Sequence, residues 1–280
     1  MCLTSWLPIE PRTNCISNCP RGLRREHISL RLHADPPGLP ESSSSFDNSY
    51  RRSRSPYPIL HSQIISSRRV VNLCFPLLNA VFRLAVFASG KGSNLREIDH
   101  AITSGRLTGI EIVLVLSNNS TADALEYARS RGIDAVHCSV VTAGSEVAHE
   151  TQMLAALRAH SVDIIALAGY MKQIPPAVVM AYEGRMINVH PALLPDFGGQ
   201  GMYGMHVHRA VVEARRKTTG ATVHYVSDEY DSGTIIAQAE CPVEESDTPE
   251  TVARKVLQVE HELYPRALQI VVDRLRQASE

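Results

Sequence analysis

The sequence predicts an α/β fold, a mostly parallel twisted sheet with helices on both faces and an antiparallel excursion near the C-terminal end. Three observations predict it. From Arg83 on, continuous apolar runs alternate with stretches of helical period, as in parallel strands covered on both faces. Glycines or polar turns end the runs, so that strands feed helices. After Gly220 the period changes to two, the alternation of antiparallel pairing.

The elements follow in order. Leu84-Ala85-Val86-Phe87-Ala88 is a buried strand ending in Ser89-Gly90-Lys91-Gly92-Ser93-Asn94, with a helix from about Asn94. Ile112–Leu116 is a second buried strand, and the helix Thr121–Arg131 stops at Gly132. Asp134–Cys138 is a short third strand. Val147, Leu154 and Leu157 give the inward face of a helix reaching about His160. Val162–Ala168 and Met186–Val189 are further buried strands. Thr222, His224 and Val226 alternate with Val223, Tyr225 and Ser227, and Asp231-Ser232-Gly233 turns the chain into Thr234–Ala239. Val252, Val256, Val259 and Leu263 stripe a closing helix. A break is expected at Pro265, because proline removes an N–H and clashes with the preceding turn.

The 280 residues divide into two unlike pieces. Residues 1–80 hold 10 Arg, no Lys and 5 acids, whereas the remainder holds 18 bases and 24 acids. The formal charge of −1 is therefore a sum of opposites. It argues against a general nucleic-acid binder, which needs excess cation. Without a run of about 18 apolar residues, no transmembrane helix is expected. Residues 81–280 are expected to be the folded catalytic domain.

Pro36-Pro37, Pro40, Ser42–Ser45 and Arg51-Arg52-Ser53-Arg54 mark residues 1–80 as a disordered or non-native N-terminal extension. Upstream sequence translated from a wrong start and a disordered tail fit about equally. An organellar targeting peptide comes third, since five acids and many prolines weaken it. The six cysteines form no secreted disulfide framework, which points to a reducing, cytoplasmic setting. A chain beginning near Val81 is expected to keep full activity.

Three polar features stand at strand ends, where open α/β sheets gather ligands. The first is Gly90-Lys91-Gly92-Ser93-Asn94, a glycine turn at a helix start that suits one phosphate. It has neither the Walker spacing nor a third glycine for a dinucleotide. A tight turn without any ligand fits these residues equally well. The second is Asn188-Val189-His190-Pro191, where an amide and an imidazole two residues apart face the same side and can hold a carbonyl oxygen that becomes negative. A capping Asn and a structural His are the plainer alternative. The third is Asp231, a solvated turn residue unless it lies near His190, where it would favour the imidazolium and relay a proton. A zinc site from His190, His206, His208, His224 and Asp231 is disfavoured. His206-x-His208 lies just before a helix, with no H-E-x-x-H or cysteine pair.

Four blocks carry a resemblance over roughly residues 83–275. They are Ser89–Asn94, Leu167-Ala168-Gly169-Tyr170-Met171, Asn188–Pro195, and Gly220–Tyr225 leading to Asp231-Ser232-Gly233. Together they resemble the folate-dependent formyltransferases, most of all the branch that formylates glycinamide ribonucleotide. The resemblance implies a formyltransferase fold with a Rossmann-like N-terminal half. It implies formyl transfer from 10-formyltetrahydrofolate to the amine of glycinamide ribonucleotide, a step of purine synthesis, with no metal. By position, Asn188, His190 and Asp231 match the family's catalytic trio. Gly92, Ser93 and Asn94 match its phosphate turn. Met171, Lys172, Gln173 and Ile174, with Asn188, match its folate pocket, and Glu260 falls where the family has an acid near the acceptor substrate.

The sequence also departs from the family pattern. Members often carry Arg near the position of Glu146, Lys172 replaces a frequent Arg, and Gly198–Gly204 is longer than in many members. The expected partners are small-molecule substrates, not nucleic acid or membrane, and the chain is a monomer or homodimer. Formyltetrahydrofolate deformylase, with water as acceptor, is the close alternative. Its family usually has an N-terminal domain of strands and helices that residues 1–80 do not pattern. A tRNA-directed formyltransferase would need a basic C-terminal domain beyond Glu280. A phosphate-sugar binding module of the same fold is a third reading, but simple binding has no need of the Asn188, His190 and Asp231 set.

Overall fold

A computed structural model describes residues 30–32 and 81–279. Among them, eight strands form one sheet: β1 Leu30–Leu32, β2 Phe82–Phe87, β3 Ile110–Ser117, β4 Asp134–His137, β5 Ile164–Leu167, β6 Met186–His190, β7 Thr218–Tyr225 and β8 Ile235–Pro242. The helices are α1 Ser93–Thr103, α2 Asp123–Ser130, α3 Val140–Ala143, α4 Glu146–Ala159, α5 Pro176–Ala181, α6 Met205–Glu213 and α7 Pro249–Gln277. Strand order is β1-β8-β7-β6-β5-β2-β3-β4. The block β6-β5-β2-β3-β4 is parallel, and β7 and β8 add antiparallel pairs, as expected, while β1 adds one that the sequence does not predict.

Alternate residues of β2 explain the two covered faces. Leu84 and Val86 pack with α1, α2 and α7 through Leu95, Ile98, Leu125 and Leu268. Ala85 and Phe87 pack with α4 and α5 through Met153, Leu157 and Val178. Each large apolar side chain fully buried in this way contributes about 1.5–3 kcal/mol. The chain runs from β2 to β3 and β4 on one side, then returns to β5 and β6 on the other. The order therefore reverses between β2 and β5, and a crevice opens beyond their carboxyl ends.

Several expectations need correction. Leu157 is buried as expected, but Val147 is 76% exposed and α4 buries His149 and Met153 beside Leu157. Those residues are spaced by four, and counting apolar residues alone passes over the polar His149. The helix α7 runs unbroken through Pro265. An interior proline costs about 3 kcal/mol, but Leu263, Tyr264, Ala267, Leu268, Val271 and Val272 are fully buried around it, and that burial outweighs the break. His206 and His208 lie in the first turn of α6, not before it. The strand β7 is buried on both faces from Thr219 to His224, so its alternation marks two covered sides. Helix α5 was not foreseen, although Pro175-Pro176 is a proline start signal.

The strand β1 comes from a stretch in which the sequence shows no strand period. Three residues are too few for a period to register, and their pairing is non-local. The other expectations for residues 1–80 lie outside the described residues. Cys138 and Cys241 are buried, and neither forms a disulfide among the described residues. Among the described residues, no helix is long and apolar enough to cross a membrane.

Candidate active site

The crevice is a cleft of about 740 Å³. Its first wall is built by the turns after β2 and β5. Gly92 precedes α1 with φ 69°, and a Cβ there would lie 2.9 Å from the Ala124 Cβ. Both the left-handed backbone and the close approach of α2 therefore require glycine. Ser89 fastens three strand ends together. Its hydroxyl donates to Asn118 Oδ1 at 2.5 Å, after β3, and accepts the Met171 N–H at 2.7 Å, after β5. Met171, Lys172, Gln173 and Ile174 then line the cleft, with Ile174 buried and the other three exposed.

Of the expected phosphate turn, Asn94 lines the cleft, whereas Gly92 and Ser93 sit outside its lining at the start of α1. Asn94 Nδ2 donates to Glu260 Oε2 at 2.6 Å, joining α1 to α7 at the cleft floor. Its Oδ1 is buried without a partner among the described residues. Burial pushes the Glu260 carboxyl up to about 7, while the Asn94 hydrogen bond pulls the other way.

A carboxyl that ionises at about 7 when folded, against an ordinary 4.5, favours the folded state below that lower value. The contribution is lost as pH rises from there to about 7. Glu260→Gln cannot ionise, so it is expected to gain on the wild type through this window by up to about 3 kcal/mol. Urea unfolding without substrates, at about pH 4.5 and about pH 8, measures it. A difference that stays constant over that range would refute the titration.

The second wall carries the polar cluster. Asn188 and His190 sit on β6, and antiparallel pairing sets Asn188 opposite His224 and His190 opposite Thr222. His224 Nδ1 meets the Tyr225 carbonyl at 2.9 Å, and a carbonyl can only accept, so that nitrogen carries the proton. Its bare Nε2 accepts from Asn188 Nδ2 at 3.2 Å. One amide N–H of Asn188 is thus used, the second remains, and the residue lines the cleft.

His190 follows the same logic. Its Nε2 faces the Phe197 carbonyl at 2.8 Å and carries the proton, which leaves Nδ1 facing Asp231 Oδ2 at 3.4 Å. Asp231 also lies 3.5 Å from His224 Nε2 through Oδ1 and accepts the Gly199 N–H at 3.0 Å. It holds a left-handed φ of 54°, which Asp tolerates better than most residues. Burial lowers the His190 pKa, against the raising effects of Asp231 and the Phe197 carbonyl, and the net direction is down. For Asp231, burial raises the pKa, but the neighbouring His224 and His190 rings and the Gly199 N–H more than reverse it. The pair therefore rests as carboxylate and neutral imidazole, and the next proton lands on His190 Nδ1, against Asp231.

The structure thus gathers Asn188, His190 and Asp231 as the sequence suggested. It also adds His224, weighed from sequence only as a zinc ligand. The signal for its other contact was the β6–β7 register, which a sequence does not print. His208 is buried in the cleft lining, whereas His206 is exposed and edge-on to Tyr203. Glu146 is exposed at the start of α4.

Comparisons with known proteins fit this arrangement. Residues 82–268 match the family model described as formyl transferase. Phosphoribosylglycinamide formyltransferase, chloroplastic, of Arabidopsis thaliana is 44% identical over 183 residues, covering 65% of this chain and 62% of that protein. The chain thus spans less than two thirds of that plant relative's length. Phosphoribosylglycinamide formyltransferase of Escherichia coli is 35% identical, over 68% of this chain and 87% of that one. The crystal structure of glycinamide ribonucleotide transformylase 1 from Symbiobacterium toebii superposes with TM-score 0.65 at 36% identity, covering 69% of this chain and 89% of that one. A formyltetrahydrofolate deformylase from Pseudomonas syringae matches with TM-score 0.62 at 28% identity, over 69% and 61%.

Proposed function

The chain belongs to the formyl transferase family, and from that premise we propose that it transfers the formyl group of 10-formyltetrahydrofolate to the amine of glycinamide ribonucleotide. One observation carries the reading. The Asn188, His190, His224 and Asp231 cluster faces a single cleft between the Met171–Ile174 wall and the Asn94–Glu260 floor. Donor and acceptor can then meet at the end of β6. The names of the Arabidopsis and Escherichia coli relatives support the acceptor.

In this reading Met171, Lys172, Gln173 and Ile174 hold the folate. Gly92, Ser93 and Asn94 hold the ribose phosphate at the start of α1, and Glu260 faces the acceptor. The amine attacks the formyl carbon, forming a C–N bond. Negative charge develops on the formyl oxygen, which the free N–H of Asn188 and an N–H of His190 stabilise. The His190 ring rests neutral, so it must first take a proton on Nδ1, which the Asp231 carboxylate holds there. The bond from the formyl carbon to the folate nitrogen then breaks. The proton lost by the amine goes to that nitrogen, relayed by His190 or a water oriented by Asp231. Placing two substrates in one cleft supplies much of the rate, and no step needs a metal or a covalent enzyme intermediate.

Tetrahydrofolate release from 10-formyltetrahydrofolate, with and without glycinamide ribonucleotide, tests the reading. Release only with the ribonucleotide is expected. Release without it would make the protein a deformylase, and no release in either case would leave a binding module. Two plant relatives are named as chloroplastic. Our cytoplasmic placement therefore needs its own check, a fluorescent reporter fused after residue 80. A diffuse cytoplasmic signal supports it, and an organellar signal overturns it.

A further inference from the structure

The outer edge of the sheet carries a separate inference. The strand β8 is the last strand of the unit that begins at β2. Its stretch Ile235-Ile236-Ala237-Gln238-Ala239 contains no Lys, Arg or Pro, the residues that keep an open edge from pairing with another chain. Ile236, Ala237 and Ala239 are also fully or almost fully buried. An edge of this kind is a template for a further strand. β1 occupies it: Leu30, Arg31 and Leu32 pair antiparallel with Ala239, Gln238 and Ala237.

The pairing falls on the rung that fastens the turn after His190. The Gln238 amide donates to the Leu194 carbonyl and to Thr222 Oγ1, both at 2.9 Å. The Thr222 hydroxyl in turn holds the Ala192 carbonyl at 2.7 Å and accepts the Leu194 N–H at 3.0 Å. About fifty residues separate Leu32 from β2. Closing a loop of that length costs little more than closing one half as long.

We propose that residues 30–32 are a resident edge strand that closes the sheet and keeps a second copy of the chain off β8, and that the working protein therefore retains Leu30. A chain beginning at Val81, which the sequence alone would pass as complete, lacks this strand. The occupant is this chain's own segment; a second copy is what the segment excludes.

Three proteins test it: the full chain, the full chain with Leu30→Pro, Arg31→Pro and Leu32→Pro together, and the chain from Val81. The prolines leave the domain sequence untouched and remove every N–H that β1 could offer. Hydrogen exchange at the β8 amides of Ala237–Ala239 that point away from β7 is expected to be about tenfold slower in the full chain than in the other two. Light scattering across a concentration series is expected to show the full chain monomeric while the other two self-associate. Equal exchange in all three proteins would overturn the strand. Slower exchange in the full chain with all three monomeric would overturn its role against a second copy. Mass spectrometry of the protein isolated from its source should place the N-terminus at or before Leu30, and a terminus beyond Leu32 would also overturn the proposal.

Discussion

Asp231→Asn is expected to fold normally and to lower kcat by about a hundredfold to ten-thousandfold, the range of general acid–base contributions. Folding should survive for local reasons. Asn tolerates the left-handed φ of 54° as Asp does, and its amide oxygen can still accept the Gly199 N–H. Chemistry should not survive. The His190 pKa is already lowered by burial, and the Asp231 charge is the first force against that. Without the carboxylate, a proton on Nδ1 faces only a neutral amide oxygen in place of the charge 3.4 Å away, and the imidazolium becomes harder to form. The rate of the residual reaction should therefore rise toward lower pH over a range shifted down from that of the wild type. Steady-state kinetics across pH, with circular dichroism for the fold, measure both effects. A variant with wild-type kcat would reject the assigned role of Asp231.

Tyr264→Ala is expected to destabilise the folded protein by about 3–5 kcal/mol, the range for a large aromatic removed from a packed core. Tyr264 is fully buried on α7, and its hydroxyl donates to the Leu167 carbonyl at 3.0 Å and the Ile187 carbonyl at 3.3 Å. It therefore pins the helix to the ends of β5 and β6, the strands that deliver Met171 and Asn188. Tyr264→Phe keeps the ring but removes the hydroxyl's hydrogen bonds to those carbonyls, at a cost of about 0.5–1.5 kcal/mol. Urea denaturation of the two variants separates packing from hydrogen bonding. Equal losses in both would mean that the ring contributes nothing beyond its hydroxyl.

The parts of the molecule legible in the sequence are those written in short stretches of chain. Leu84–Ala88 and Ile112–Leu116 read as buried strands because every residue is apolar and a turn follows. Asn188 and His190 read as a pair because a strand repeats every two residues. The remainder depends on what lies across the fold. His224 gains its meaning from standing opposite Asn188 in the β6–β7 register. Pro265 remains helical because α7 is buried along its length, which no local propensity records. Val147 carries an apolar side chain that the core does not need. Ser89 looks like an ordinary turn residue until Asn118 and Met171, far apart in the chain, converge on its hydroxyl.

The convergence on Ser89 divides the cleft into unequal halves. One hydroxyl locks the turn after β2, the residue after β3 and the segment after β5 into a single block. The wall that we propose for the folate and the start of α1 that we propose for the phosphate are therefore one anvil. The opposite side, residues 199–204 and 226–231, is held to that anvil by no such staple among the described residues. A lineage of this fold can redraw the unstapled side while the segment after β5 and the start of α1 stay as they were. Changes should accordingly accumulate in those two loops, and a change in the stapled block would first have to dismantle the serine.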